Sequence, residues 1–119
     1  MSTTRRTPEL VLRLKLGDGI LGPGKVELLE RIGRLGSISS AARDMGMSYR
    51  QAWMLVETMN RKFREPVVRT AQGGRGGGGA TLTPTGRRVV ECYRSMLARV
   101  EKLAAKELRV IGSMTDPNR

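Results

Sequence analysis

A chain of 119 residues with 39% hydrophobic content is long enough for one domain with a modest core, which at 3% aromatics has to be built from aliphatic side chains. The 22 Lys and Arg against 11 Asp and Glu, a formal net charge of +11, make a polyanion the expected partner, and so few aromatics argue against a base-stacking RNA platform. With no His and the single Cys92, an internal disulfide, the usual zinc ligand sets and a Ser-His or Cys-His nucleophile pair are all excluded, so no catalysis, metal or other cofactor is expected.

The N-terminus, M-S-T-T-R-R-T-P-E-L, has no apolar run suited to a signal peptide or membrane span, and a cytoplasmic location is expected. Leu10, Leu12, Leu14 and Leu16 alternate with Val11, Arg13 and Lys15, which predicts a strand over 10–16, stopped by G-D-G-I-L-G-P-G. Three helices follow within residues 25–63. The first starts at Lys25, carries Val26, Leu28, Leu29, Ile32 and Leu35 at helical spacing, and ends at Gly36. Ser37 or Ser39 is placed to cap the second, whose apolar side is Ile38, Ala41, Ala42 and Met45. Gly46 turns the chain and Ser48 caps the third, which buries Ala52, Leu55, Val56, Met59 and Phe63. Its opposite face then carries Arg50, Met54, Glu57 and Arg61, with Trp53 on the outer shoulder and Tyr49 on the inner one.

Pro66 forbids more helix, and residues 66–83 hold two β-prone runs around the glycine-rich tip A-Q-G-G-R-G-G-G-G, a flexible hairpin. Thr83 and Pro84 then open a helix over 84–110, too long for so small a core to cover. The expected fold is a mainly α winged helix-turn-helix, residues 1–119 forming a single domain, with an N-terminal strand, a two-stranded glycine-rich wing and a long C-terminal dimerisation helix. Val90, Tyr93, Leu97, Val100 and Ala104 form the row expected at a homodimer interface, leaving Arg94, Lys102 and Lys106 to solvent.

A tight glycine turn between two short helices, followed at once by a wing, points to double-stranded DNA as the partner. Arg61, Lys62, Arg64, Arg69, Arg75, Arg87 and Arg88, offset only by Glu65, suit contacts to phosphate. Gly17, Gly19 and Gly22 also fit G-x-G-x-x-G, but no second parallel strand follows, so a dinucleotide fold is not expected.

The stretches L-R-L-K-L, G-S-I-S-S-A-A-R-D-M-G-M-S-Y-R-Q-A-W, E-T-M-N, G-G-R-G-G-G-G-A and L-T-P-T-G, the last opening the final helix, fall within residues 10 to 110. In them the chain resembles the N-terminal domain of the ModE family of molybdate-responsive bacterial regulators and, more distantly, the DNA-binding domains of LysR-type regulators. The resemblance implies that the helix with SYxxAW enters the major groove and that the wing touches flanking DNA. It makes Ser48, Tyr49, Arg50, Trp53 and Met54 the groove-facing residues, and with Ser39 and the basic Arg61, Arg69, Arg75, Arg87 and Arg88 they form the expected DNA-binding set. Arg50 is the best base reader and Arg75 the wing-tip contact. It further implies a homodimeric transcription regulator of molybdenum-related genes. The family's oxyanion-binding modules have no counterpart here, so weak molybdate binding and a separate ligand-sensing partner are expected. A DNA-coating protein with little sequence preference is the alternative, and an oxyanion-binding protein a more remote one.

Overall fold

The computed structural model describes residues 7–71 and 78–119. In chain order the elements are β1 (Leu14–Leu16), β2 (Gly19–Leu21), α1 (Pro23–Leu35), α2 (Ile38–Met45), α3 (Tyr49–Lys62), β3 (Val68–Thr70), β4 (Ala80–Leu82), α4 (Pro84–Leu103) and α5 (Ala105–Ser113). This is a mainly α winged helix, as the order of motifs predicts. No helix among the described residues is long and apolar enough to cross a membrane.

The expected strand over 10–16 is shorter and has a partner the sequence reading missed. Only Leu14–Leu16 is strand, and it pairs antiparallel with Gly19–Leu21 around a turn in which Gly17 takes φ +62°. The segment taken as a stop signal is thus half of a hairpin. Residues 10–13 keep the alternation of half-buried and exposed side chains without a strand neighbour. Alternation reports an extended backbone lying over a core, and here the Leu12 carbonyl accepts a hydrogen bond from the Tyr93 hydroxyl at 2.8 Å instead.

α1 begins two residues before the predicted Lys25, because Pro23 supplies the φ of a first helical turn and has no N–H to leave unpaired. Gly36 ends it at φ 81°, its N–H bonded to the Ile32 carbonyl. Val26, Leu28, Leu29 and Ile32 are fully buried and form the centre of the core, against Ile38, Ala41 and Ala42 of α2 and Ala52, Val56 and Met59 of α3. The small side chains of α2 let α1 and α3 close around it. Arg31 and Arg34 both reach the Asp44 carboxylate, at 2.7 and 3.6 Å, and bind α1 to the end of α2.

The predicted single helix over 84–110 is two helices, bent at Ala104 (φ −96°, ψ 11°) and running on to Ser113. The i→i−4 bonds Ala104 N to Val100 O and Leu108 N to Ala104 O persist at 2.9 Å, so the axis kinks without breaking. The kink falls where α4 has left the core, since neighbouring Leu103 is 86% exposed. Tyr93, expected at a subunit interface, is 1% exposed within its own chain. Arg94, expected in solvent, forms a bidentate pair with Glu30 of α1 at 2.7 and 2.8 Å. That pair, with Tyr93, fastens α4 to the helical core.

The Arg94 hydrogen bonds hold the Glu30 carboxyl below its ordinary 4.5. A depressed folded-state pKa stabilises above the unfolded-state value, and the gain is lost as pH falls through the folded-state value. Stability should therefore drop more steeply below pH 4.5 in the wild type than in Glu30→Gln. As the pair is partly exposed, the difference at neutral pH should be no more than about 1 kcal/mol, measured by urea unfolding across pH 3–7.

Candidate DNA-binding face

Each element of the helix-turn-helix is capped by its own sequence. The Ser37 hydroxyl accepts from Ser40 N–H at 3.0 Å and the Ser48 hydroxyl from Gln51 N–H at 3.0 Å. Ser37 is thus the cap of α2. Ser39 lies one residue inside that helix and is exposed, its hydroxyl 3.5 Å from that of Ser37. Between the helices Gly46 stands at φ 72°, its N–H directed at the Ala42 and Arg43 carbonyls, a conformation that disfavours any side chain.

Burial of Ala52, Val56 and Met59 fixes the rotation of α3 and turns Arg50, Trp53, Met54 and Arg61 to solvent. Leu55, Glu57 and Phe63 are half-buried. Tyr49, expected on the inner shoulder as packing, is exposed with the outward group. As the first residue of α3 it precedes the turn over which the core closes.

The wing is anchored from three sides. β3 and β4 pair antiparallel with Val68 opposite Leu82, Arg69 opposite Thr81 and Thr70 opposite Ala80. Asn60, in the last turn of α3, accepts from Val67 N–H at 2.8 Å and Val68 N–H at 3.2 Å, and its amide donates to the Val68 carbonyl at 3.2 Å. Thr83 donates its N–H to the Val67 carbonyl at 3.0 Å and its hydroxyl to the Pro66 carbonyl at 2.6 Å, and it caps α4 by accepting from Gly86 N–H. Ala80 N–H reaches the Gly36 carbonyl at 2.8 Å, tying β4 to the α1–α2 turn. A Cβ on Gly86 would stand 2.1 Å from the Val67 carbonyl oxygen, so the α4 backbone approaches β3 as only glycine permits.

Asn60 and Gly86 are the residues that sequence reasoning left without a role. Asn60 had a signal: it lies four residues after buried Val56, so an amide occupies a place on the apolar stripe. Gly86 had none, because its constraint comes from the backbone of Val67, 19 residues away.

Arg69 is exposed on β3. Arg87 is exposed and donates to the Leu82 carbonyl at 3.1 Å, beside the wing. Arg88 is exposed on another side of α4, where it lines an apolar depression of about 330 Å³ with Leu14, Phe63 and Met96. Lys62 is paired with Asp18 of the β1–β2 turn, a bond that holds the Asp18 carboxyl below its usual range. Among the described residues, Arg43, Arg50, Arg61, Arg64, Arg69, Arg87 and Arg88 form no ion pair, whereas Arg31, Arg34, Lys62 and Arg94 do. The expected wing-tip residue Arg75 lies outside the described residues.

A family model described as bacterial regulatory helix-turn-helix protein, lysR family, matches residues 24–87, more than half of the chain. The chain belongs to this family. The matched LysR-type segment runs from α1 through the wing to the first turn of α4, and so includes every anchor of the wing described above. Among similar proteins, the molybdenum-pterin-binding protein MopB of Rhodobacter capsulatus is 49% identical over 83 residues, 70% of this chain and 31% of that protein. The DNA-binding transcriptional dual regulator ModE of Escherichia coli (strain K12) is 40% identical over 97 residues, 81% of this chain and 37% of its own. The molybdenum transport protein ModE of Azotobacter vinelandii is 42% identical over 96 residues, 81% and 35%. These matches bear out the resemblance to the ModE proteins. The chain spans about a third of the length of these relatives.

Removing the Asn60 side chain strips the buried Val67 N–H of its acceptor, which costs about 1–3 kcal/mol. Asn60→Ala should lower unfolding stability by that amount and weaken DNA binding beyond it, because the wing loses its tie to α3. Gly86→Ala should destabilise by at least about 2 kcal/mol through overpacking against backbone. Urea unfolding measures the stability of both variants, and DNA titration of the folded fraction measures binding; a wild-type midpoint for either would refute the anchoring.

Proposed function

We propose that this chain is a sequence-specific transcription regulator that binds double-stranded DNA as a homodimer in the cytoplasm and has no catalytic role. The observation that carries it is the outer face of α3: Arg50, Trp53, Met54 and Arg61 stand exposed on one helix, next to a wing, in a chain of net charge +11. α3 would lie in the major groove, with Ser48, Tyr49, Arg50, Trp53 and Met54 nearest the bases. Arg61, Arg69, Arg87 and, from the wing tip, Arg75 would meet phosphates or the minor groove. Ser39 at the start of α2 is a further phosphate contact. The names of the relatives support target genes concerned with molybdenum.

The test compares a candidate operator, found by genome-wide footprinting, with random duplex at fixed salt. A large ratio supports sequence-specific regulation, and equal affinities would favour the DNA-coating reading. Arg50→Ala should weaken operator binding by about 1–3 kcal/mol and relax preference at one base pair per half-site. Equal losses on operator and random duplex would make Arg50 a phosphate contact instead.

The homodimer reading rests on an apolar strip that the chain itself does not cover. Leu103 on α4, Val110 and Ile111 on α5 and Met114 just after it are all at least half exposed, and Met96 and Val100 line an open groove of about 570 Å³ beside Leu103. Of the residues expected at the interface, Val100 and Ala104 are half-buried, whereas Val90 and Leu97 pack on the chain's own core. A second copy pairing along α4 and α5 would cover this strip. Replacing both Val100 and Leu103 with Glu should yield a folded monomer with sharply reduced operator affinity. Sedimentation reads the assembly state, and a monomeric wild type at micromolar concentration would refute the arrangement.

A further inference from the structure

Tyr49, Trp53 and Met54 are 54%, 40% and 53% exposed, although two of them are among the four aromatic residues of the chain. None belongs to the core or is packed against it, so folding gives no reason for apolar side chains there. They occupy the first two turns of α3 together with Arg50. At about 100° per residue the four span an arc of roughly 140°, in which Arg50 lies between Trp53 and Met54. From Tyr49 to Met54 the helix rises about 7.5 Å, the length of roughly two base-pair steps.

The floor of the DNA major groove is a pattern of hydrogen-bond donors and acceptors whose one apolar group is the C5-methyl of thymine. A base edge offering only polar atoms to Met54 or to the carbon face of the Trp53 indole would lose water without gaining a hydrogen bond. A thymine methyl there gains contact and loses nothing. We propose that Trp53 and Met54 read thymine 5-methyl groups on either side of the base addressed by Arg50. The preferred half-site then carries thymines flanking that base. This inference rests on the DNA-binding reading of α3 and adds the chemical group that its apolar residues select.

The test uses the full chain and a duplex pool with a randomised centre, selected at fixed salt. The tightest duplex recovered is resynthesised with uracil replacing thymine, one position at a time. Uracil keeps all pairing and hydrogen-bonding groups and lacks only the methyl. Each contacted position should bind about fourfold more weakly as uracil, the worth of burying one methyl. Met54→Ala should abolish the thymine–uracil difference on one side of the Arg50 contact and Trp53→Ala on the other. Both variants should keep the wild-type circular dichroism, which separates a lost contact from a lost fold. Equal binding of thymine and uracil duplexes at every position, or discrimination undiminished in both variants, would overturn the inference while leaving sequence-specific binding intact. A pool that yields no preferred sequence would overturn the sequence-specific reading and this inference with it.

Discussion

The face proposed to meet DNA depends on how three consecutive residues, Pro66, Val67 and Val68, are held. Val67 is fully buried, so each of its backbone polar groups must find a partner inside the protein. Its N–H goes to Asn60 of α3 and its carbonyl receives Thr83 at the head of α4. Asn60 also takes both polar groups of Val68, Thr83 takes the Pro66 carbonyl, and Pro66 has no N–H to satisfy. α3, the wing and α4 therefore meet on one short stretch of backbone. With Gly86 pressed against the Val67 carbonyl, there is no slack for α4 to slide along β3. Among the described residues no buried side-chain nitrogen or oxygen lacks a partner.

The charged residues divide along similar lines. Arg31 and Arg34 on Asp44, Arg94 on Glu30 and Lys62 on Asp18 link elements distant in sequence, and each neutralises a carboxylate. Three of the 11 acidic residues, Asp18, Glu30 and Asp44, thereby hold helices and hairpin together. The arginines without carboxylate partners on α3, β3 and the start of α4 keep their full charge for a polyanion. Both uses follow from one composition, since 22 cations cannot all be matched by 11 anions.

With extents of 54 × 31 × 23 Å and a radius of gyration of 17.4 Å, the molecule is longer than its core requires, because a chain of this size folded compactly has a radius near 13–14 Å. The excess is the second half of α4 with α5. The apolar side chains there were legible in the sequence as a stripe, but which of them are buried by the chain itself was not. Tyr93, Val90 and Leu97 face inward because the β1–β2 hairpin, α1 and the N-terminal segment cover that end of α4. Leu103 and its successors lie beyond anything the domain places over them.

The sequence by itself determined the local elements whose cause lies within a few residues: the Gly36 and Gly46 helix ends, the Ser48 and Thr83 caps, the phase of α3 and the order of helix, turn, helix and wing. These follow from backbone conformation and from a hydrophobic period that one helix already contains. Only the tertiary structure decided the pairing of β1 with β2, the exposure of Tyr49, the Asn60 anchor and the kink at Ala104. Each of these depends on which distant backbone arrives alongside. A helical wheel or a propensity scale, which sees only neighbours in sequence, has no term for the 2.1 Å that forbids a side chain at Gly86.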